Sequence, residues 1–216
     1  MPAYLGMLAL PVHLADLFAF IDGTSHEICR PDGPGVVQNA FWNGYFHGHF
    51  LIWQGVSFPD GMLVLEGPEP GFNTDTIVWR DCQIRDIIEN LMRARAQQIP
   101  PRPRFKMYAD KIYNTCALIT AAWNLRHGPL FQWMTNQNTV MSKVRIAIEW
   151  TFGTLKNLFK YVTFSKTQKI EESPVEKHFV ISALLANCHC CLYGDRHNDV
   201  RAFDIDPPSL EDYLGQ

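Results

Sequence analysis

The segment LFAFIDGT, residues 17–24, sets the reading of the whole chain. Leu17, Phe18, Ala19, Phe20 and Ile21 form a short unbroken apolar run, the pattern of a strand buried on both faces of a sheet. Asp22-Gly23 follows as a turn signal, so the strand is expected to end at an acid. The pattern recurs in FKMYAD, residues 105–110, where a strand is expected to end at Asp110. A single acid after a buried strand is ordinarily a turn or cap residue. Two of them on one sheet fall where loop-borne chemistry collects in α/β folds.

Outward from these strands, the chain alternates sheet and helix signals. After the loop RPDGPG, a strand is expected through HFLIWQGVSF, with Phe50, Ile52, Val56 and Phe58 on one parity. Pro59-Asp60-Gly61 then turns the chain into MLVLE, giving a hairpin. GFNTDT opens a helix that Asn73 or Thr74 would cap, with Ile84, Ile87, Ile88 and Leu91 as its apolar face. RARAQQIPPRPR is a basic, proline-rich connection, and ALITAAW is a further short strand. HGPLFQWMTNQN reads as a loop. In the last helix Ser173 is expected as cap, Pro174 at the first helical position and Glu176 as capping-box partner, with Gly194 ending it after Tyr193. This order predicts a mixed α/β plan with one central sheet over residues 17–194, a lead-in over 1–16 and an acidic tail over 195–216.

MSKVRIAIEWTFG, residues 141–153, poses a second question. Met141, Val144, Ile148, Phe152, Leu155 and Phe159 follow steps of three and four and form one buried ridge of a helix. Glu149 sits beside that ridge, where a carboxylate is costly to desolvate without a partner. Arg145, one turn earlier, is the simple partner. A metal ion shared with other acids is the alternative: three carboxylates meeting at one sheet edge repel one another unless a cation lies between them, and an all-oxygen set suits Mg²⁺ or Mn²⁺.

Bulk properties narrow the function classes. At 216 residues, with 47% hydrophobic and 12% aromatic content, the chain can bury a full core and is not globally disordered. No run is long enough to cross a membrane, and the apolar start lacks a basic leader, so a secreted or membrane protein is not expected. The six cysteines show no regular framework, as in a reducing compartment. A net charge of −3 leaves nucleic-acid binding to local basic patches: Arg93, Arg95, Arg102, Arg104 and Lys106, and Arg145, Lys156 and Lys160. No GxxxxGK loop is present, which argues against an NTPase.

FIDGT at 20–24, the G-x-x-x-D of GFNTD at 71–75, ADKIY at 109–113 and VRIAIEWTFGTLK at 144–156 resemble the DDE superfamily endonuclease domain of Harbinger-type transposases. NGYFHGHFLIWQGVSFPDGML, residues 43–63, is also similar to that family, and the resemblance runs from about residue 17 to about 192. It implies a ribonuclease-H-like α/β fold, a mixed sheet flanked by helices. It implies a catalytic triad of Asp22, Asp110 and Glu149 holding Mg²⁺ or Mn²⁺ for phosphodiester hydrolysis and strand transfer, in a nuclear or nucleocytoplasmic protein. Asp75 matches a further acidic position, either an auxiliary metal ligand or a charge favoured at a helix N-terminus. Arg145 and Lys156 share the face of Glu149 and are candidates for DNA phosphates. The family carries a helical DNA-binding region before its first strand, and sixteen residues precede that strand here. Weak DNA binding by this chain alone, and a separate Myb-like partner for sequence reading, are therefore expected. The alternative is a truncated or domesticated nuclease fold acting as an inactive DNA- or protein-binding module.

CHCC, residues 188–191, invites a zinc reading, but adjacent helical side chains diverge by about 100° and no second ligand pair has matching spacing. Buried thiols are the reading adopted. His47 and His49 are expected as exposed histidines of one strand.

Overall fold

The computed structural model describes residues 17–98, 105–194 and 205–215. Strand β1 (Leu17–Glu27) is followed by α1 (Gly35–Phe41), β2 (Trp42–Asn43), β3 (Gly48–Ser57) and β4 (Leu63–Pro70). Helices α2 (Asp75–Asp81) and α3 (Gln83–Gln98) come next, then β5 (Lys106–Ala109), β6 (Ile119–Ala121), α4 (Gln132–Leu158), α5 (Val175–Tyr193) and α6 (Leu210–Leu214). The sheet runs β2-β3-β1-β5-β6, and β4 also pairs with β3. The β1–β3 and β3–β4 pairs are antiparallel, whereas β1–β5 and β5–β6 are parallel. This mixed, helix-flanked sheet is the expected ribonuclease-H-like arrangement.

Side-chain alternation divides the apolar residues between two cores. Phe20 and Tyr108 pack with Trp53, Phe179 and the α4 residues Met141, Val144, Ile148, Phe152 and Leu155. Ala19, Ile21, Met107 and Ala109 point the other way, onto Trp79, Ile84 and Ile88. The α4 ridge is buried as its spacing predicts, up to Leu155. Phe159 lies just past the helix and is half-buried. Phe152 reaches the sheet because Gly55 lies beneath it; a Cβ there would stand 2.5 Å from the ring.

Several elements differ from the sequence expectations, each for a physical reason. β1 does not end at Asp22: it continues to Glu27, because Asp22 to Glu27 pair with Gly55 to Phe50 of β3. The helix after GFNTDT breaks at Cys82 into α2 and α3. Thr74 is the N-cap by backbone, but its side chain makes no cap bond. The start of α3 is capped by Glu66 of β4, whose carboxylate accepts from Gln83 N at 2.5 Å and Ile84 N at 2.7 Å. Ile84 and Ile88 are buried with Met92 packed against the same core, a line at steps of four; Ile87 and Leu91 are exposed.

Between RPDGPG and β3 the chain forms α1, which begins at Gly35 and has no counterpart among the sequence expectations. QWMTNQN is the first part of α4: Gln137 accepts from Trp123 Nε1 at 2.8 Å, and Asn138 bonds both the N–H and the carbonyl of Trp123. Asn138 thus serves the backbone beyond β6, and Gln137 the indole of Trp123. Ser173 donates to the Lys169 carbonyl at 3.0 Å and does not cap α5, whose N-cap is Pro174. α5 ends at Tyr193 before Gly194, which has a positive φ of 67°. Of the residues read as a tail, Ile205 packs on the core, and Tyr213 in α6 receives a hydrogen bond from Asn187 at 3.0 Å. Residues 1–16, the remaining proline-rich connection with Arg102 and Arg104, and residues 195–204 lie outside the described residues. Arg93 pairs with Glu89 at 3.1 Å.

His26 gives the core a pH dependence. Its ring is 2% exposed and stacks on Phe179, with centroids 4.8 Å apart, beside Trp53. Burial, reinforced by the Lys156 ammonium, lowers its pKa to about 4. The unfolded chain takes up that proton near 6.5, so the stability from a neutral ring is present above 6.5 and is lost as pH falls toward 4. Urea unfolding of wild type and His26→Phe from pH 7 to pH 4 should therefore show the variant gaining on wild type, by about 3 kcal/mol at the acid end. A constant difference across that range would contradict this assignment.

Candidate functional site

The parallel β1–β5 register pairs Ile21 with Ala109, so the next residues, Asp22 within β1 and Asp110 just past the end of β5, lie side by side. Adjacent strands lie about 4.8 Å apart, which brings the two carboxylates into each other's field. Asp110 follows the end of β5 and accepts from the Lys111 N–H at 2.6 Å. Asp22 shares the parity of Phe20 and faces α4.

Asp75, the first residue of α2, arrives from the opposite face. Its carboxylate occupies the space where a Cβ on Gly23 would stand. The glycine of Asp22-Gly23 is therefore required by close approach and not by a turn. Burial is the main cause that raises the Asp22 pKa, to about 6; Arg145 opposes the rise, and Asp75 and Asp110 add to it. Burial, then Asp110, likewise raises the pKa of Asp75.

Arg145 joins Asp22 to Glu149. Its Nη1 donates to Asp22 Oδ2 and its Nη2 pairs with Glu149 Oε1, both at 2.7 Å. The Asp22 and Arg145 side chains are about one-fifth exposed, at 18% and 21%, whereas Glu149 is 49% exposed. Glu149 is thus linked to Asp22 through a shared guanidinium. Lys156 lies one turn beyond Phe152 and points to β1: its Nζ donates to Thr24 Oγ1 and the Ser25 carbonyl, each at 3.0 Å. Burial lowers its pKa.

Two residues support the site without belonging to a recognisable motif. Gln54, fully buried on β3, donates from Nε2 to the Asp22 carbonyl at 2.8 Å and accepts from the Tyr113 hydroxyl at 3.1 Å. A glutamine inside an otherwise apolar strand was the available signal, since such a group must find partners within the fold. Tyr113 is also buried, and its pKa is raised well above the usual value by burial and by Asp75.

A cleft of about 1030 Å³ opens over Asp75 and Asp110, with Lys111 and Arg126 also on its lining. Among the described residues, no group of three or more His, Cys, Asp or Glu side chains stands in an arrangement that would hold a metal ion. The donor chemistry nonetheless suits a hard cation: an all-oxygen set in which burial, with a smaller contribution from neighbouring carboxylates, raises the pKa of two members. Away from the cleft, Cys190 is buried and Cys188 and Cys191 are half-buried, with no disulfide. His49 lies on β3, but His47 is in the preceding turn with φ 53°. None of the helices among the described residues is long and apolar enough to cross a membrane.

Residues 21–187 match the model of a family described as DDE superfamily endonuclease. Comparisons with curated proteins and with solved structures each gave no match.

The raised pKa of Asp22 has a signed consequence. A carboxyl that titrates near 3.8 unfolded and near 6 folded stabilises the fold while protonated and loses that contribution as pH rises from about 4 to 6. Relative to Asp22→Asn, the metal-free wild type should lose on the order of 3 kcal/mol across that window and then level off. Thermal or urea unfolding of both proteins between pH 4 and 7.5 measures the difference, and the His26 contribution cancels between them. A pH-independent difference would remove Asp22 from the strained set.

Proposed function

We propose that this chain, which belongs to the DDE superfamily endonuclease family, is a divalent-metal-dependent DNA endonuclease and strand transferase of the Harbinger transposase type, acting in the nucleus. The observation that carries this reading is the β1–β5 register, which sets Asp22 beside Asp110 while Gly23 admits Asp75 to the same place. Asp22, Asp75 and Asp110 would hold Mg²⁺ or Mn²⁺, with Glu149 closing the set. When bound, such ions polarise the phosphodiester and supply a nucleophilic oxygen at neutral pH.

The chain's own residues then have separable roles. Arg145 offsets the negative charge of Asp22 and Glu149 and fixes the position of Glu149 on α4. Lys156 holds Thr24 and Ser25, and so the path of β1 just beyond Asp22. Its role is in positioning the site, and phosphate contact falls more naturally to the exposed Lys111 and Arg126 of the cleft. Duplex binding by the chain alone is weak and salt-dependent, and sequence reading falls to a separate Myb-like partner.

A second reading is favoured by one observation: Arg145 satisfies Asp22 and Glu149 without any metal. A domesticated fold that binds DNA or protein without cutting could retain that ion pair for stability alone.

Nicking of supercoiled plasmid separates the two. Wild type with Mg²⁺ or Mn²⁺ should nick and with chelator should not, and Asp110→Asn should lower the rate by at least about a hundredfold. Plasmid left intact under every metal condition, by protein that melts cooperatively, favours the binding module.

A further inference from the structure

The cleft carries a second set of side chains that phosphodiester chemistry does not require. Trp42, Tyr45, Phe46 and Phe72 line it and are 41%, 85%, 51% and 60% exposed. Trp42 meets the edge of His49, Tyr45 that of Phe46, and Phe46 also touches Phe50, yet each ring keeps a large exposed area. Large aromatic surface gathered around one cleft marks an interaction surface.

The backbone that presents these rings is fixed independently of them. Asn43 Oδ1 accepts from the N–H groups of Tyr45 and Phe46 at 3.0 and 3.1 Å, and its Nδ2 donates to the Gly71 carbonyl at 2.8 Å. Gly71, beside Phe72, has no room for a Cβ against the Phe41 and Phe50 carbonyls. His47 holds a left-handed conformation with φ 53°, uncommon for a non-glycine residue. The turn is thus held by amide bonds and close packing while Tyr45 and Phe46 stand out from it. Elsewhere on the cleft lining, Asn124 bonds the Lys111 carbonyl at 3.1 Å and the Arg126 N–H at 2.9 Å, so one side chain sets the backbone of both cations.

A ligand complementary to this cleft has flat apolar faces for the rings and anionic groups for Lys111 and Arg126. Single-stranded DNA has both. In a closed duplex the base faces are already stacked on one another and only the phosphates are available. We propose that the aromatic wall receives unpaired bases, so that the chain engages single-stranded or locally opened DNA beside Asp75 and Asp110. This rests on the nuclease reading for its biological setting, but binding can be measured apart from cleavage.

Fluorescence anisotropy of the full chain, with a labelled oligothymidine of about twelve nucleotides and a duplex of equal length, tests it. The single strand should bind at least about tenfold tighter than the duplex. Tyr45→Ala and Phe72→Ala should each weaken strand binding about fivefold or more and leave duplex binding unchanged. Both side chains are exposed, and circular dichroism checks that the variants are folded. Duplex binding as tight as strand binding, or aromatic variants that bind the strand like wild type, would overturn the proposal. So would no binding of either oligonucleotide, which would leave the cleft to a protein partner. Aromatic-dependent strand binding by a chain that never nicks plasmid upholds this inference and removes the nuclease reading. Robust nicking with indifferent aromatic variants does the reverse.

Discussion

The guanidinium of Arg145 ties the sheet to α4 at an electrostatically strained point of the fold. Asp22 sits where burial and two neighbouring aspartates all favour its neutral form, and Arg145, helped by the Gly23 N–H, opposes them. Removing one partner of a largely desolvated pair costs several kcal/mol, since the other charge remains buried. Arg145 sits directly after Val144 of the buried ridge. The rotation of α4 that packs Val144, Ile148 and Phe152 on the sheet is therefore the rotation that delivers Arg145 to Asp22 and carries Glu149 alongside. Core packing and site electrostatics depend on a single helix register.

The sheet is also unusually thin where the acids meet. Asp22 pairs with Gly55, and Gly23 with Gln54. Phe152 packs onto Gly55 in one core, while Asp75 fills the space above Gly23. An ordinary side chain at position 23 would push Asp75 outward and weaken its influence on Asp22. Gln54, between the Asp22 carbonyl and the Tyr113 hydroxyl, stiffens the same point from within. The acids come from both faces of the sheet, and two glycines let them act as one group.

The apolar cores of the strands other than the two-residue β2, the α4 ridge and the acid after β5 are legible, because each follows from a local pattern of apolar spacing. Asp22-Gly23 was misread as a turn because the dipeptide gives a turn signal locally, whereas its steric purpose depends on Asp75, far along the chain. QWMTNQN looked like a loop by composition; its amides are helical because Trp123 and its backbone need partners. The exposed aromatics left no sequence signal, since nothing in NGYFHGHF distinguishes rings that pack from rings held outward. The Arg145–Glu149 pair was visible as an i, i+4 spacing, but its extension to Asp22 requires the tertiary fold.

The distribution of charge links these features to the modest net value of −3. Negative charge is concentrated on and beneath the cleft floor at Asp22, Asp75 and Asp110, while cations stand at Lys111 and Arg126 on its lining and at Arg145 and Lys156 behind it. A phosphate backbone is drawn toward Lys111 and Arg126 and repelled by the floor. With Asp22 titrating near 6, the floor reaches its most negative state only above that pH, where the repulsion is greatest. A polyanion can settle fully into the cleft only when that charge is offset, so the weak binding proposed for the unaided chain would follow from where its charges lie. The total charge does not predict it: moving the same residues apart would leave the net value at −3 and remove both the attraction and the barrier.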